Sequence, residues 1–357
     1  MNKICITGVT YSAQAFSDEQ LPRFTGHSPF HHQLYLFLKE WFSPSPTIPL
    51  HTSGSTGLPK EIIVRKEQML QSAMMTCNFF HLKRGDKALL CLPLDYIAGK
   101  MMVVRAISAG LDLYPVEPSG HPLAVMDRPF DFAAMVPLQI YNSLQNEVEK
   151  QRLSHIRQLI IGGGALDEQL EDALNEFPNA IYSTYGMTET LSHIALRRIS
   201  GAGANRYYTP LPGVGLGLSE ENRLIVHVPV VADEPIVTND IAEIMQEGRF
   251  RIIGRGDNVI NSGGIKVQAE EVERMLRPHI TGNYAITSLP HPKLGEAMVL
   301  LIEPVADPAA VRKAVREILP RNQQPLYILT VKAVPQTGSG KTDRAATLKL
   351  AKEIGLL

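Results

Sequence analysis

"RQLIIGGGALDEQLEDALNEFPNAIYSTYG", Arg157 to Gly186, decides the fold. "RQLII" is an apolar, β-rich run that stops in three glycines, Gly162 to Gly164. "DEQLEDALNEF" then has the composition of a helix, with Asp167 placed as its N-cap and acids in its first turn. "NAIYSTYG" returns to strand composition. A strand, a helix and a second strand in so short a span point to an α/β protein. The alternation extends in both directions. "KEQMLQSAMMTCNFF" reads as a helix, "KALLCLPL" (Lys87 to Leu94) as a buried strand and "NRLIVHVPVV" as another strand. After Arg255 the texture changes. One amphipathic stretch, "AEEVERMLRPH", is followed by "YAITSLP", "AMVLLIE", "PAAVRKAVREIL" and "YILTVKAVP", enough for a small α+β domain. Two domains are therefore expected, residues 1–255 and 256–357, with "IGRGDNVINSGGIK" as the turn and hinge between them.

Composition sets milder bounds. Hydrophobic residues make up 44% of the chain and charged residues 20%, as in an ordinary globular protein. A net charge of −1 argues against nucleic acid or an anionic membrane as a partner held by bulk electrostatics. Cys5, Cys77 and Cys91 show no metal or redox spacing and read as small hydrophobes in a reducing compartment. "MMVVRAISAGLDLYPV" is interrupted by Arg105 and Asp112, too soon for a membrane span. The N-terminus lacks the apolar run of a signal peptide, so a cytoplasmic location is expected.

Several short stretches carry chemistry. "HTSGSTGLPKE", His51 to Glu61, places Thr52, Ser53, Gly54, Ser55, Thr56 and Gly57 ahead of Lys60. Hydroxyls, unhindered amides and one lysine are the parts that hold a polyphosphate, although a polar linker has a similar composition. "YGMTETLSH" sets Thr188 and Glu189 just past a strand, where a hydroxyl and a carboxylate suit magnesium shared with a nucleotide; an ordinary loop is the alternative. "VTNDIAEI" puts Asp240 after a strand, where a carboxylate can accept ribose hydroxyls or simply make a turn. "PGVGLGL" has the wrong glycine spacing for a dinucleotide fingerprint and reads as a β-turn. "VPQTGSGKTDR", Val334 to Arg344, mimics a phosphate-cradling loop. Its first glycine position is Pro335, which offers no amide hydrogen, so Lys341 needs another role.

The order of these pieces resembles the adenylate-forming enzymes, which comprise acyl- and aryl-CoA synthetases, amino-acid adenylation domains and luciferases. TSGSTGLPK, GGGAL, YGMTET, TND, GRGD…SGG and TGSGK follow one another over roughly residues 50 to 345. The resemblance implies a large adenylating domain, shortened at its N-terminus, and a small mobile C-terminal α+β domain. It implies ATP and Mg2+ as cofactors and coenzyme A as co-substrate. By the same resemblance Ser53 to Lys60 bind phosphate, while Gly163, Gly164, Ala165 and Tyr185 line the adenine pocket. Thr188 and Glu189 face the α-phosphate and, with Thr56, the metal. Asp240 and Arg255 hold the ribose, Asp257 is the hinge, Lys341 is the mobile catalytic lysine, and Gly263 and Gly264 border the pantetheine tunnel.

The chain also departs from the family pattern. Only about fifty residues precede the phosphate loop. Glu61 stands where the family has glycine, and Asp95-Tyr96 replaces its aromatic–histidine pair. Among the subfamilies, "YGMTETLSHIALR" and the compact length look most like the o-succinylbenzoate–CoA ligases of menaquinone biosynthesis. The expected partner is then a small carboxylic acid, with a homodimer left open. Its non-reacting carboxylate would need Ser192, His193, Arg197, Lys100 or Arg105, with Tyr96 also in the substrate site. Asp95 keeps amino-acid adenylation open, and a nucleotide-binding module without chemistry is a third reading.

Overall fold

The computed structural model describes the chain apart from residues 1, 18–21, 27, 52–60, 165, 167, 306, 337–341 and 356–357. It divides into two compact units. One comprises Met1–Leu216, Val226–Ile236 and Met245–Phe250; the other comprises Gly217–Ile225, Val237–Ile244 and Arg251–Leu357.

The first unit is built on a nine-stranded sheet. Its order is Thr209–Pro210, His193–Arg198, Ala180–Gly186, Ile156–Ile161, Phe130–Met135, Lys87–Leu90, Asp112–Pro115, Lys3–Ile6 and Val9–Ser12. The interior strands are parallel, and antiparallel pairs close both edges. The opening stretch forms as read: Ile156–Ile161 lies parallel to Ala180–Gly186, with helix Glu168–Asn175 between them in sequence. Asp167, the expected cap of that helix, lies outside the described residues. Buried apolar side chains from one face of these strands, among them Leu89, Ala133, Leu159, Ile161 and Ile181, share one core with Leu170 and Leu174 of the helix. Covered parallel strands must be apolar on successive residues, which explains "LII" and "AAM" runs without alternation.

The first fifty residues contribute to the first unit. They supply the last two strands at one end of the main sheet and the helix Pro29–Phe42, started by the Ser28 side chain accepting from the His31 amide. "KALLCLPL" is a strand only through Leu90, because Pro93 cannot donate to a ladder. "PGVGLGL" is a turn at Gly213 (φ +85°) followed by the strand Gly215–Leu218.

In the second unit a sheet runs Ile265–Gln268, Val259–Ser262, Gly295–Ile302, Tyr284–His291, with Tyr327–Thr330 also beside Gly295–Ile302. Ile286, Met298, Leu300 and Ile302 pack with helices Ala269–Leu276 and Pro308–Ile318 on one face. Ala285, Val299 and Leu301 pack with Ala351 of helix Arg344–Gly355 on the other. That makes the expected α+β arrangement. "IGRGDNVINSGGIK" is more ordered than a turn. It contains the end of one strand, a short helical turn Gly256–Asn258 and a hairpin whose two-residue turn is Gly263-Gly264.

Candidate active site

Ligands of open α/β sheets gather at the carboxyl ends of the strands. Here Ile161 and Gly186 end neighbouring parallel strands, and the sequence-selected Gly163, Gly164, Tyr185, Thr188 and Glu189 all follow from those two ends. Gly163 has φ +77°, a left-handed conformation that glycine adopts without strain. Tyr185 is half-buried, with its ring edge-on to Phe250 at 5.3 Å and 5.9 Å from Tyr208. Tyr208 stacks on Phe250 at 5.5 Å and its hydroxyl meets Ser183 at 3.0 Å. Phe250 is fully buried, so these contacts anchor the half-buried Tyr185 ring to the core.

The turn after Gly186 doubles back tightly. A side chain at Gly186 would place its first carbon 2.4 Å from the Ser192 carbonyl, so glycine is required. Thr190, which the sequence reading passed over, organises the turn. Its buried hydroxyl accepts from the Met187 amide at 3.0 Å and donates to the Ser192 carbonyl at 2.7 Å. Thr188 is left half-buried and Glu189 exposed. Among the described residues no three His, Cys, Asp or Glu side chains form a metal cage. One exposed carboxylate such as Glu189 is the ligand that magnesium takes when phosphates and water complete its shell.

Beyond the turn lies a second group of side chains. Arg105, from helix Ile97–Ala109, is 2% exposed. Its Nη2 donates to Ser192 Oγ at 2.5 Å, Nη1 lies 3.7 Å from Met102 Sδ, and the buried Nε has no hydrogen-bond acceptor among the described residues. No carboxylate pairs with it among the described residues. Burial therefore pulls the guanidinium down to about 10. His193 is 6% exposed, with Nδ1 3.4 Å from Ser192 Oγ and Nε2 3.1 Å from Thr76 Oγ1. Burial first, and then the Arg105 charge, hold its imidazole well below the ordinary 6.5, so the ring is neutral.

A stability prediction arises from that neutrality. Unfolding restores His193 to an ordinary histidine, which takes up a proton below about pH 6.5 while the folded form does not. This contribution to stability is present above pH 6.5 and declines as pH falls through that value. His193→Gln should reduce the proton uptake on unfolding by about one between pH 6.5 and 5, measured as the pH slope of urea unfolding. An unchanged slope would show that the folded imidazole titrates normally.

The other substrate candidates fall elsewhere. Arg197 forms a two-pronged ion pair with Glu171 and lies over the Tyr208 ring, so its charge is already matched. Lys100 Nζ sits 3.4 Å from the Pro49 carbonyl, and burial lowers its pKa. Asp95 is exposed and Tyr96 is 55% exposed.

In the second unit, Arg255 and Asp240 pair at 3.5 Å, with the Asp240 side chain 14% exposed. The Asn239 amide donates to Asp257 and its oxygen accepts from Arg223 at 2.7 Å. Gln268 donates to the Arg255 carbonyl at 2.8 Å. Gly263 and Gly264 have φ of +61° and +84°, as a tight hairpin turn demands. Thr52, Ser53, Gly54, Ser55, Thr56, Gly57 and Lys60 lie outside the described residues, as do Ala165 and Lys341. The strands flanking the first of these segments, Thr47–His51 and Glu61–Arg65, pair antiparallel with His51 opposite Glu61.

Known proteins match this arrangement. The 2-succinylbenzoate–CoA ligase of Salmonella typhimurium is 29% identical over 315 residues, covering 83% of this chain and 67% of the relative. That of Haemophilus influenzae is 30% identical over 280 residues, covering 74% and 60%. The chain thus spans about two thirds or less of the length of these curated relatives. A solved acyl-CoA synthetase (AMP-forming)/AMP-acid ligase II-like protein from Dyadobacter fermentans is 34% identical, with a TM-score of 0.65. That match covers 94% of this chain and 97% of the other, almost end to end. Among the described residues no helix is long and apolar enough to cross a membrane. The family model for AMP-binding enzymes matches residues 11–227, and the chain belongs to that family.

Proposed function

We propose that the chain is an ATP-dependent acid–CoA ligase of the cytoplasm that forms an acyl-adenylate and then a thioester, with 2-succinylbenzoate as its acid. The observation that carries the choice of acid is Arg105. A fully buried guanidinium without a carboxylate is costly unless a ligand supplies one. A dicarboxylic acid can react through one carboxylate and leave the other for Arg105. Ser192 orients the guanidinium, and neutral His193 adds no competing charge. The two curated relatives named above carry this activity in their names. Asp95, which an amino-acid substrate would need as the partner of its ammonium, is exposed to water.

In this reading Thr52 to Gly57 and Lys60 hold the phosphates. Gly163, Gly164, Ala165 and Tyr185 hold adenine, and Asp240 with Arg255 holds the ribose. Glu189 and Thr56 would hold magnesium, which offsets the repulsion between a carboxylate and the α-phosphate it attacks. Thr188 lies beside that phosphate, and Lys341 meets the charge that develops on it. Domains 1–255 and 256–357 move about Asp257, so that coenzyme A reaches the acyl carbonyl past Gly263 and Gly264.

The test is ATP–pyrophosphate exchange across 2-succinylbenzoate, benzoates, fatty acids and amino acids. Exchange should depend on 2-succinylbenzoate. Exchange driven by an amino acid would overturn the substrate, and no exchange with any acid would overturn the enzyme.

A further inference from the structure

Thr76 belongs to none of the sequence motifs. It lies on helix Lys66–Phe79, 117 positions before His193, with no exposed surface. Its hydroxyl nevertheless touches the imidazole at 3.1 Å and the Ser72 carbonyl, one helical turn back, at 3.4 Å. We propose that Thr76 is a positioning residue for the acyl pocket, fixing His193 as the Nε2–H tautomer and through it the placement of Arg105.

The argument is a count of hydrogens and acceptors. Ser72 offers only a carbonyl here, so the Thr76 hydrogen goes to it and Thr76 Oγ1 is left to accept from Nε2–H. Nδ1 then carries a lone pair, which takes the Ser192 hydroxyl hydrogen. Ser192 Oγ in turn accepts from Arg105 Nη2. Each of the four hydrogen bonds from Arg105 Nη2 through Ser192, His193 and Thr76 to Ser72 then has one donor and one acceptor, and the series ends on the backbone. With the opposite tautomer, Nδ1–H and Arg105 would both donate to Ser192 Oγ. The serine hydrogen would then lack an acceptor among the described residues, and the Ser72 carbonyl would lose its side-chain donor. An imidazolium is disfavoured by burial and by the neighbouring cation.

Beyond Arg105 the series is built wholly from neutral groups and so fixes the guanidinium without neutralising it. A carboxylate in place of His193 would hold Arg105 equally well and cancel the charge that an acid substrate needs. The inference rests on the substrate reading above for its consequence, but not for the tautomer itself.

The experiment uses isotope-labelled histidine in the full chain. The His193 signal is identified by its loss in His193→Gln, and kinetics are measured alongside. The parent should show Nε2–H at His193. Thr76→Val, of nearly the same shape, should lose that tautomer and raise KM for 2-succinylbenzoate about tenfold, with KM for ATP within about twofold. Thr76→Ser should restore both. A parent His193 protonated at Nδ1, or a valine variant with tautomer and KM unchanged, overturns the proposal, as does failure of serine to rescue. If the parent ignores 2-succinylbenzoate, the functional reading falls, while the tautomer measurement still decides the role of Thr76.

Discussion

Replacing Arg105 with methionine is expected to raise KM for 2-succinylbenzoate about a hundredfold and leave KM for ATP within about twofold. The substitution keeps most of the volume and removes the charge. A carboxylate brought into the pocket would then be buried without a partner, a loss of about 2–5 kcal/mol. An analogue lacking the non-reacting carboxylate should bind the parent poorly and the variant no worse. The same change should not unfold the protein. Arg105 is 2% exposed, has one short hydrogen bond to Ser192, and its Nε has no acceptor among the described residues. Exchanging an uncompensated buried charge for an apolar side chain is often neutral or stabilising, so Tm should hold or rise. Opposite signs for affinity and stability mark a residue kept for binding. A fall in Tm with unchanged KM would instead make Arg105 a structural residue and remove the basis for a dicarboxylate substrate.

Arg105 also shows what could be read in the sequence and what could not. "MMVVRAISA" displays an arginine inside an apolar helix, and apolar neighbours on both sides are a signal of burial. The identity of its partner is not local: Ser192 is 87 positions away and Thr76 is 117 from His193. No spacing rule connects such pairs, because the sheet brings them together. Arg197 makes the converse point. It stood as an equal candidate beside Ser192 and His193, and only the fold reveals that Glu171 has already matched its charge. The strands and helices themselves were legible because their signals are local. Ile156–Ile161 ends in glycines, and Ala269–Leu276 carries an apolar stripe. Thr190 was missed for a different reason. Its work is inside a single turn, donating and accepting within three residues, and Thr188 and Glu189 beside it have the more reactive look.

Lys341→Ala is expected to lower the rate of adenylation about 10²–10³-fold while sparing thioester formation from a supplied acyl-adenylate. The first half-reaction brings two anions together, and its transition state spreads negative charge over phosphoryl oxygens. One ammonium delivered there is stabilising only while that charge exists. The second half-reaction, attack of a thiol on an acyl carbonyl, has no such phosphoryl charge to meet. The chain immediately after Lys341 is built to hold a fixed position. Thr342 bridges to Gln336, the Asp343 amide donates to the Pro335 carbonyl at 2.9 Å, and Asp343 caps helix Arg344–Gly355 through the Ala346 amide. Arg344 grips Glu273 with two bonds of 2.7 Å. In the proposed reading the charge of Lys341 is present in one half-reaction and withdrawn in the next. The measurement is pyrophosphate exchange for adenylation and thioester release from synthetic acyl-adenylate for the second step. Equal losses in the two would mean that Lys341 supports the fold or binds coenzyme A. Loss of exchange alone leaves phosphoryl charge as the only target its ammonium serves.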